Sequence, residues 1–371
     1  MEPKNLLDYL MLIPDPRVDR TRRHELADII FIALAAVLCG AEGWTQVEEF
    51  GKAGKQWLAS FLKLPNGIPS HDTFGRVFAA LAPDALEAAL QAFVRDFAGE
   101  SAGRHVAIDG KTLRRSFDRA AEQSAIHMVS AWACEQGVCF GQVKVADKSN
   151  EITAIPNLLS RLNLKGAAVT IDAMGCQKAI AHQIVEGGGD YVLAVKGNQG
   201  ALHEEVSEFF DDFLQGRLHA DVERLHRVEK DHGRIEERTV WVSRDVDWLR
   251  DAEQWAGLAG IVAVQSVRTV DGRTTRERRH YIFSGAFGVD QAADLIRRHW
   301  SIENELHWVL DVAFNEDQCR VRSENAAENF SRLRRFALSL LKQDAKAKVG
   351  IQGRRLKAAW DKNYLLRLLG L

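Results

Sequence analysis

The pattern of apolar and polar positions changes character near residue 100. Before it, apolar residues recur at helical spacing, and Leu26, Ile29, Ile30, Ala33 and Val37 mark one helix face. Gly40 and Gly43 interrupt that helix. A partly helical stretch over 44–64 then ends at the turn signal Pro65-Asn66-Gly67. Ser70 is placed to cap a helix over 73–81 whose apolar face is Phe74, Val77, Phe78 and Leu81. Pro83 opens one more helix, reaching about 97.

After Gly103 the texture becomes short, β-branched and apolar. Residues 106–109 read as a buried strand, and 126–133 with 138–145 read as a hairpin around Glu135-Gln136-Gly137. An amphipathic helix over 152–162 precedes a second buried strand at 167–172. A helix over 176–186, stopped by Gly187-Gly188-Gly189, precedes a third strand at 191–196. Residues 201–214 read as helix. Residues 221–285 are strand-rich, at 238–242, 260–270 and 279–284, with Asp271-Gly272 as a hairpin turn. From Asp290 onward the pattern is mostly helical, and there is no internal repeat. This is an α/β pattern: a mixed sheet with flanking helices, behind an N-terminal helical domain over 1–100 whose short helices suit a DNA-binding bundle and equally a docking or oligomerisation module. The second domain, 101–371, carries a β-rich insertion at about 204–288 and a helical C-terminal tail over 320–371.

Composition narrows the picture modestly. With 371 residues, 46% hydrophobic and 27% charged, the chain reads as a soluble protein of two or three domains. Its five cysteines are scattered without a CxxC, which fits a reducing cytoplasm better than a disulfide scaffold or a zinc site. The N-terminus lacks a signal-peptide layout, and the most apolar run, 29–39, is too short to span a bilayer. Net charge is −2, unevenly spread: −4 over 1–100, −7 over 101–319 and +9 over 320–371. A basic tail suits contact with phosphates and equally suits a solvated amphipathic helix.

Three acids carry the candidate chemistry. Asp109 and Asp172 each close a buried apolar run, in Val106-Ala107-Ile108-Asp109-Gly110-Lys111 and Val169-Thr170-Ile171-Asp172-Ala173-Met174-Gly175. A carboxylate at the carboxyl end of a buried strand is partly desolvated and needs a cation or N–H groups, and ligands of α/β sheets gather at such ends. Taken alone, either Asp reads first as a turn cap; the pair strengthens the site reading. Glu303 lies on a polar stripe with Trp300, Asn304, His307 and Asp311, beside the apolar stripe Ile302, Leu306, Val309 and Ala313. Any surface helix shows such stripes. Competing motifs fail on spacing. Gly110-Lys111-Thr112 lacks the glycine that a phosphate-binding loop needs at the position of His105, and neither HExxH nor GxSxG occurs.

At these residues the chain resembles bacterial insertion-sequence transposases of the DDE class, most closely the ISAs1 family with its H-repeat-associated members. The N-terminal part matches in Asp15-Pro16-Arg17, in the block from Phe50-Gly51 to Trp57, and from Leu64 to Phe74. The rest matches around Asp109 and Asp172, in Val195-Lys196-Gly197-Asn198-Gln199, in Asp231-His232-Gly233-Arg234-Ile235-Glu236, in His299-Trp300-Ser301-Ile302-Glu303-Asn304, in Leu306-His307-Trp308, and at Asp311-Val312 and Glu316-Asp317. The resemblance implies a ribonuclease H-like core, with Asp109, Asp172 and Glu303 as a catalytic triad holding two Mg²⁺ ions, Mn²⁺ being a substitute. It implies strand cleavage at the inverted repeats that end an insertion element, transfer of the freed 3′-OH to target DNA, and a homodimer in the complex of paired ends. It places the protein in the bacterial cytoplasm, at the nucleoid when bound to DNA.

Under that reading Lys111, Arg114 and Arg115 follow the first catalytic strand, Lys196 ends the third, and all can neutralise phosphate. Arg332, Arg335, Ser339 and Lys342 form a basic stripe opposite Phe330, Leu333, Ala337 and Leu341, a second candidate phosphate contact. One departure stands out. Broader IS4-like relatives carry Tyr and Arg seven and four residues before the catalytic Glu, where this chain has Ile296 and His299. Arg298 and His299, with Arg297, are then the phosphate contacts expected there, and His307 is placed to touch substrate or orient Glu303. Two alternatives remain: a DNA-binding protein that recognises element ends without transposing, and a nuclease that cuts without strand transfer.

Overall fold

The computed structural model describes residues 3, 5–117, 124–146, 149–231 and 234–371. His232 and Gly233, part of one motif of the resemblance, lie outside the described residues. The first hundred residues form α1 (Leu6–Leu10), α2 (Leu26–Leu38), α3 (Trp44–Ala53), α4 (Lys55–Leu58), α5 (His71–Ala80) and α6 (Pro83–Ala98). Local chemistry sets their ends. Ser70 Oγ accepts from the Thr73 amide at the start of α5, and Pro83 occupies the first turn of α6, where its missing N–H costs nothing. Nearly all of α2 is buried, which its all-round apolar sequence demands. Its one acid, Asp28, is buried too and accepts from the Leu64 amide at 3.0 Å, fixing the turn before Pro65.

The chain continues through β1 (His105–Thr112), β2 (His127–Ala133), β3 (Val138–Lys144), α7 (Glu151–Leu159), β4 (Ala168–Ile171), α8 (Lys178–Glu186), β5 (Asp190–Val195) and α9 (Gly200–Leu214). Four long strands follow: β6 (Glu223–Asp231), β7 (Arg234–Ser243), β8 (Leu258–Val270) and β9 (Arg273–Ser284). Next come α10 (Val289–His299), a π-helical turn (Ile302–His307), α11 (Trp308–Phe314), α12 (Ala326–Lys342), α13 (Ile351–Trp360) and α14 (Lys362–Leu368). No single helix among the described residues is long and apolar enough to cross a membrane.

These elements make two compact units that do not follow chain order. A sheet unit comprises Ser101–Asp109 and Ser149–Ile302; a helical unit comprises Met1–Glu100, Gly110–Lys148 and Glu303–Leu371. In the sheet unit the strand order is β1-β4-β5-β9-β8-β7-β6, parallel from β1 to β5 and antiparallel beyond. The β-rich segment therefore extends the same sheet through β9, which pairs with β5. Strand β6 escapes a sequence reading because its run Glu223–Asp231 has charged residues on both faces. Helix α10 packs Ala292, Ala293, Leu295 and Ile296 onto Val192, Val240, Val262, Val264, Tyr281 and Phe283. The glycine stop after α8 is sterically required. Gly188 has φ +78°, and a Cβ on Gly189 would lie 2.8 Å from the Leu164 carbonyl oxygen.

In the helical unit α12 is the central element, packed against α2, α5, α6, α13 and β3. Its residues Ala326–Leu341 are all buried. This corrects the expectation of an amphipathic helix with a basic solvent face. The helix carrying Glu303 also differs from the expected single helix. Its first part is a π turn, whose longer i→i+5 hydrogen-bonding shifts the register relative to 3.6-residue spacing. Ile302, Leu306, Leu310 and Phe314 are buried as a result, while Val309 is only half-buried.

Candidate functional site

Strands β1 and β4 pair in parallel with Ile108 opposite Ile171. Asp172 directly follows β4, and Asp109, within β1, follows the last residue of β1 paired with β4, so the two acids lie side by side where that pairing ends. Asp172 Oδ1 accepts from the amides of Met174 (3.1 Å) and Gly175 (3.4 Å), so the residue does cap a turn. That capping engages one oxygen and leaves the other available. Glu151, the first residue of α7, completes the group. One carboxylate oxygen each from Asp109, Glu151 and Asp172 lies within 4.8 Å of the others. Burial raises the Asp172 pKa, the charge of Glu151 raises it further, and the two amide bonds and the charge of Lys196 oppose the shift without cancelling it. Such crowding of partly buried carboxylates is relieved by a hard cation with oxygen ligands, and the donor set fits one. Sequence reasoning missed Glu151. An acid in the first turn of a helix is an ordinary feature, and only the fold places it here.

Glu303 belongs to the helical unit, on the π turn. Its carboxylate meets His307 Nδ1 at 3.1 Å; the His307 side chain is 3% exposed and that of Glu303 53%. The hydrogen bond from His307 is the main reason the Glu303 pKa lies below its ordinary value, against a weaker upward push from burial, and the charge of Lys111 adds to the lowering. Burial keeps the His307 pKa below the usual histidine value. His307 is therefore placed to orient Glu303, one of its two expected roles.

Several expected phosphate contacts are placed otherwise. Lys111 is 11% exposed and its ammonium pairs with Asp311, with Asp317 at 3.9 Å. Arg114 is exposed but faces Asp317 at 3.2 Å. Arg332 is buried between Glu87 and Glu328, both at 2.6 Å, and Arg335 is buried against Glu316 and Ser130. These two arginines are structural, because a guanidinium engaged in a closed network offers nothing to DNA at the surface. Ser339 is likewise buried, and Lys342 pairs with Glu305. Arg115, Lys196 and Arg298 are exposed, as a phosphate contact must be. His299 Nδ1 lies 2.9 Å from Thr170 Oγ1, which also meets His105 Nε2 at 3.0 Å. Ile296 is packed in the core under α10. At the two departures from the broader pattern, then, one residue fills space and the other braces β4 just before Asp172.

Known proteins align with this arrangement along the whole chain. The model of the DDE_Tnp_1-associated domain matches residues 7–94, and that of the transposase DDE domain matches residues 100–340. The "H repeat-associated putative transposase YhhI" of Escherichia coli K12 is 40% identical over 100% of this chain and 98% of its own. The "Putative transposase YncI" of Escherichia coli O157:H7 is 42% identical over 100% and 95%. Among solved structures, a piggyBac transposase synaptic complex with hairpin DNA aligns at a TM-score of 0.43 and 10% identity, over 98% of this chain and 77% of that one, a score too low to establish a common fold. With the domain model spanning Asp109, Asp172 and Glu303, and relatives aligned from end to end, the chain belongs to the DDE transposase family.

Proposed function

We propose that this transposase cuts DNA at the inverted repeats ending its own insertion element and joins the freed 3′-OH to target DNA, with Asp109, Asp172 and Glu303 as the catalytic acids. The observation that carries the reading is the side-by-side placement of Asp109 and Asp172 where the parallel pairing of β1 and β4 ends, with Glu151 in the same space. The reading takes this sheet as ribonuclease H-like, with β6–β9 as its insertion and residues 1–100 as an accessory DNA-binding region.

Asp109, Asp172 and Glu303 would hold two Mg²⁺ ions, or Mn²⁺ in their place, and Glu151 is a fourth acid able to share that task. Bound divalent ions supply Lewis-acid charge that activates water and stabilises the departing 3′ oxygen. His307 keeps the Glu303 carboxylate in one orientation. Lys196, Arg115 and Arg298 are the exposed cations that would bind backbone phosphates, and a homodimer would pair the two element ends.

The test uses the chain with a duplex taken from the DNA flanking its own gene, in Mg²⁺ and in Mn²⁺. Nicked product followed by joined product is expected. Asp109→Asn, Asp172→Asn and Glu303→Gln should each slow cleavage by about 10³-fold, since metal-assisted charge stabilisation is worth several kcal/mol. Retained cleavage in any one of them removes that residue from the triad. Footprinting on the repeats without cleavage would establish the binding protein instead, and nicking without joining would establish the nuclease.

A further inference from the structure

A cavity of about 700 Å³ opens in the helical unit, between the start of α3, the first turns of α5 and the connection that leads into α12. Three arginines line it: Arg76 on α5, and Arg320 and Arg322 on the connection. Arg76 Nη2 reaches the Thr73 hydroxyl at 3.5 Å. Arg322 donates Nε to the Arg115 carbonyl at 3.0 Å and lies over the Phe117 ring at 4.9 Å. None of the three forms an ion pair with a carboxylate among the described residues. This sets them apart from Lys111, Arg114, Arg332 and Arg335 of the same unit, each of which has an acidic partner.

Two acids share the lining, each with a partner that also lines it. Glu42 accepts from Asn315 Nδ2 at 3.0 Å, and Asp72 lies 3.5 Å from His71 Nε2. Thr45 and Ser323 add hydroxyl donors to the wall. Three guanidiniums without a carboxylate partner lining one recess, outnumbering its two acids and with hydroxyls beside them, are the chemistry that recognises phosphate. The volume falls in the range that takes a ligand of nucleotide size or larger, about 300–1,000 Å³.

We propose that this cavity is a DNA-backbone site, with Arg76, Arg320 and Arg322 as its charged contacts. The presence of an anion site stands on the arginines alone; its assignment to DNA rests on the proposed transposase reading. The site was invisible to sequence charge counting because Arg76 lies in a segment of net negative charge, far along the chain from the other two.

The experiment measures binding of the full chain to duplex DNA across a salt series. Each phosphate contact contributes about 0.9 to the slope of log K against log salt. Arg76→Gln, Arg320→Gln and Arg322→Gln should each flatten the slope by about that amount, and the triple variant by about three times as much, with Lys in their place restoring it. Slopes unchanged in the triple variant overturn the proposal. Should that variant not fold, phenylglyoxal modification of the wild type decides: protection of the three arginines by duplex supports the site, and equal labelling with and without duplex overturns it. Protection by deoxynucleoside triphosphate or inorganic phosphate but not by duplex would make the site one for a small anion and also overturn the assignment to DNA. Strand cleavage is scored separately. A flattened slope in a chain that never cuts DNA leaves this site standing and removes the transposition reading alone.

Discussion

Arg335 and Glu316 form an ion pair at 2.9 Å with neither side chain exposed to solvent. Burial pushes the Glu316 carboxyl pKa up, but the charges of Arg335 and Arg334 outweigh it and hold the group below its ordinary value. A carboxyl depressed in the folded state stabilises above its unfolded pKa, and that stability is lost as pH falls through the folded value. Glu316→Gln leaves the guanidinium buried without its counter-charge. It should destabilise the chain by about 3–5 kcal/mol at pH 7. Urea unfolding at pH 7 and again below the ordinary Glu pKa checks this, because the gap should narrow in acid. Were Arg335 a surface phosphate contact, Arg335→Ala would leave the unfolding midpoint in place and lower only the salt slope of DNA binding.

The Asp172 carboxyl shifts the other way, raised by burial and by Glu151. Its contribution to stability is present below the ordinary Asp pKa and lost as pH rises through the folded value, so at pH 7 the ionised group is a cost. Asp172→Asn removes that cost and keeps an oxygen to accept from Met174 and Gly175. Without divalent ions the variant should therefore melt above the wild type. With Mg²⁺ or Mn²⁺ at a hundred times its Kd the wild type should gain about 2.7 kcal/mol, and the variant much less. Thermal melts with and without EDTA give both quantities. A variant that melts lower in EDTA would show that the cap, not the repulsion, dominates at this residue.

The end of β4 was legible in the sequence because a buried β-branched run has a length and a boundary, and Asp172 stands at it; β1 runs past Asp109 to Thr112, through polar residues that hide its end. Helix α5 was legible because Ser70 and the apolar spacing agree. Glu303 was not, since its stripe is what any surface helix presents, and the π turn that carries it changes the register on which periodicity depends. The basic stripe on α12 misled for a related reason. Spacing reports which residues share a face, not whether a second layer covers that face. Glu87, Glu316 and Glu328, which neutralise Arg332 and Arg335, lie on other elements or a turn away. Glu151 and the Thr170–His299 contact depend on folds of the chain that no local pattern encodes.

His307 offers a test of orientation as distinct from ligation. Its Nδ1 bonds Glu303, and the bond is the chief cause of the lowered Glu303 pKa. His307→Ala frees the carboxylate to rotate and should weaken Mn²⁺ affinity or strand cleavage by about 10–100-fold, the usual cost of losing a partner that orients a metal ligand. Carbon-detected NMR of the Glu303 carboxyl should show its titration moving up toward the ordinary Glu range. If cleavage falls while metal affinity and the Glu303 titration stay put, His307 acts in some way other than by holding Glu303.

His105 should leave the clearest mark on the pH dependence of stability. It is buried at the start of β1, bonded to Thr170, and its pKa is lowered to about 3, first by burial and then by the charges of His299 and Arg298. Its ordinary value is 6.5. Between these values the unfolded chain binds a proton that the folded chain refuses, so stability falls as pH falls, by about 1.4 kcal/mol per pH unit. Glu316 acts only at and below the ordinary Glu range. His24, His280 and His307 are also lowered and add to the slope, while the raised carboxyls of Asp28, Asp172 and Asp311 oppose it. The comparison must therefore be a difference: unfolding free energies of wild type and His105→Gln, measured by urea at half-unit pH steps. The variant curve should be flatter between the folded and ordinary His105 values and should approach the wild type from below as pH falls, since glutamine loses the ring packing but carries no proton linkage. Parallel curves would mean that His105 takes up its proton in the folded chain without resistance, and that the Thr170 bond, rather than burial, governs its charge.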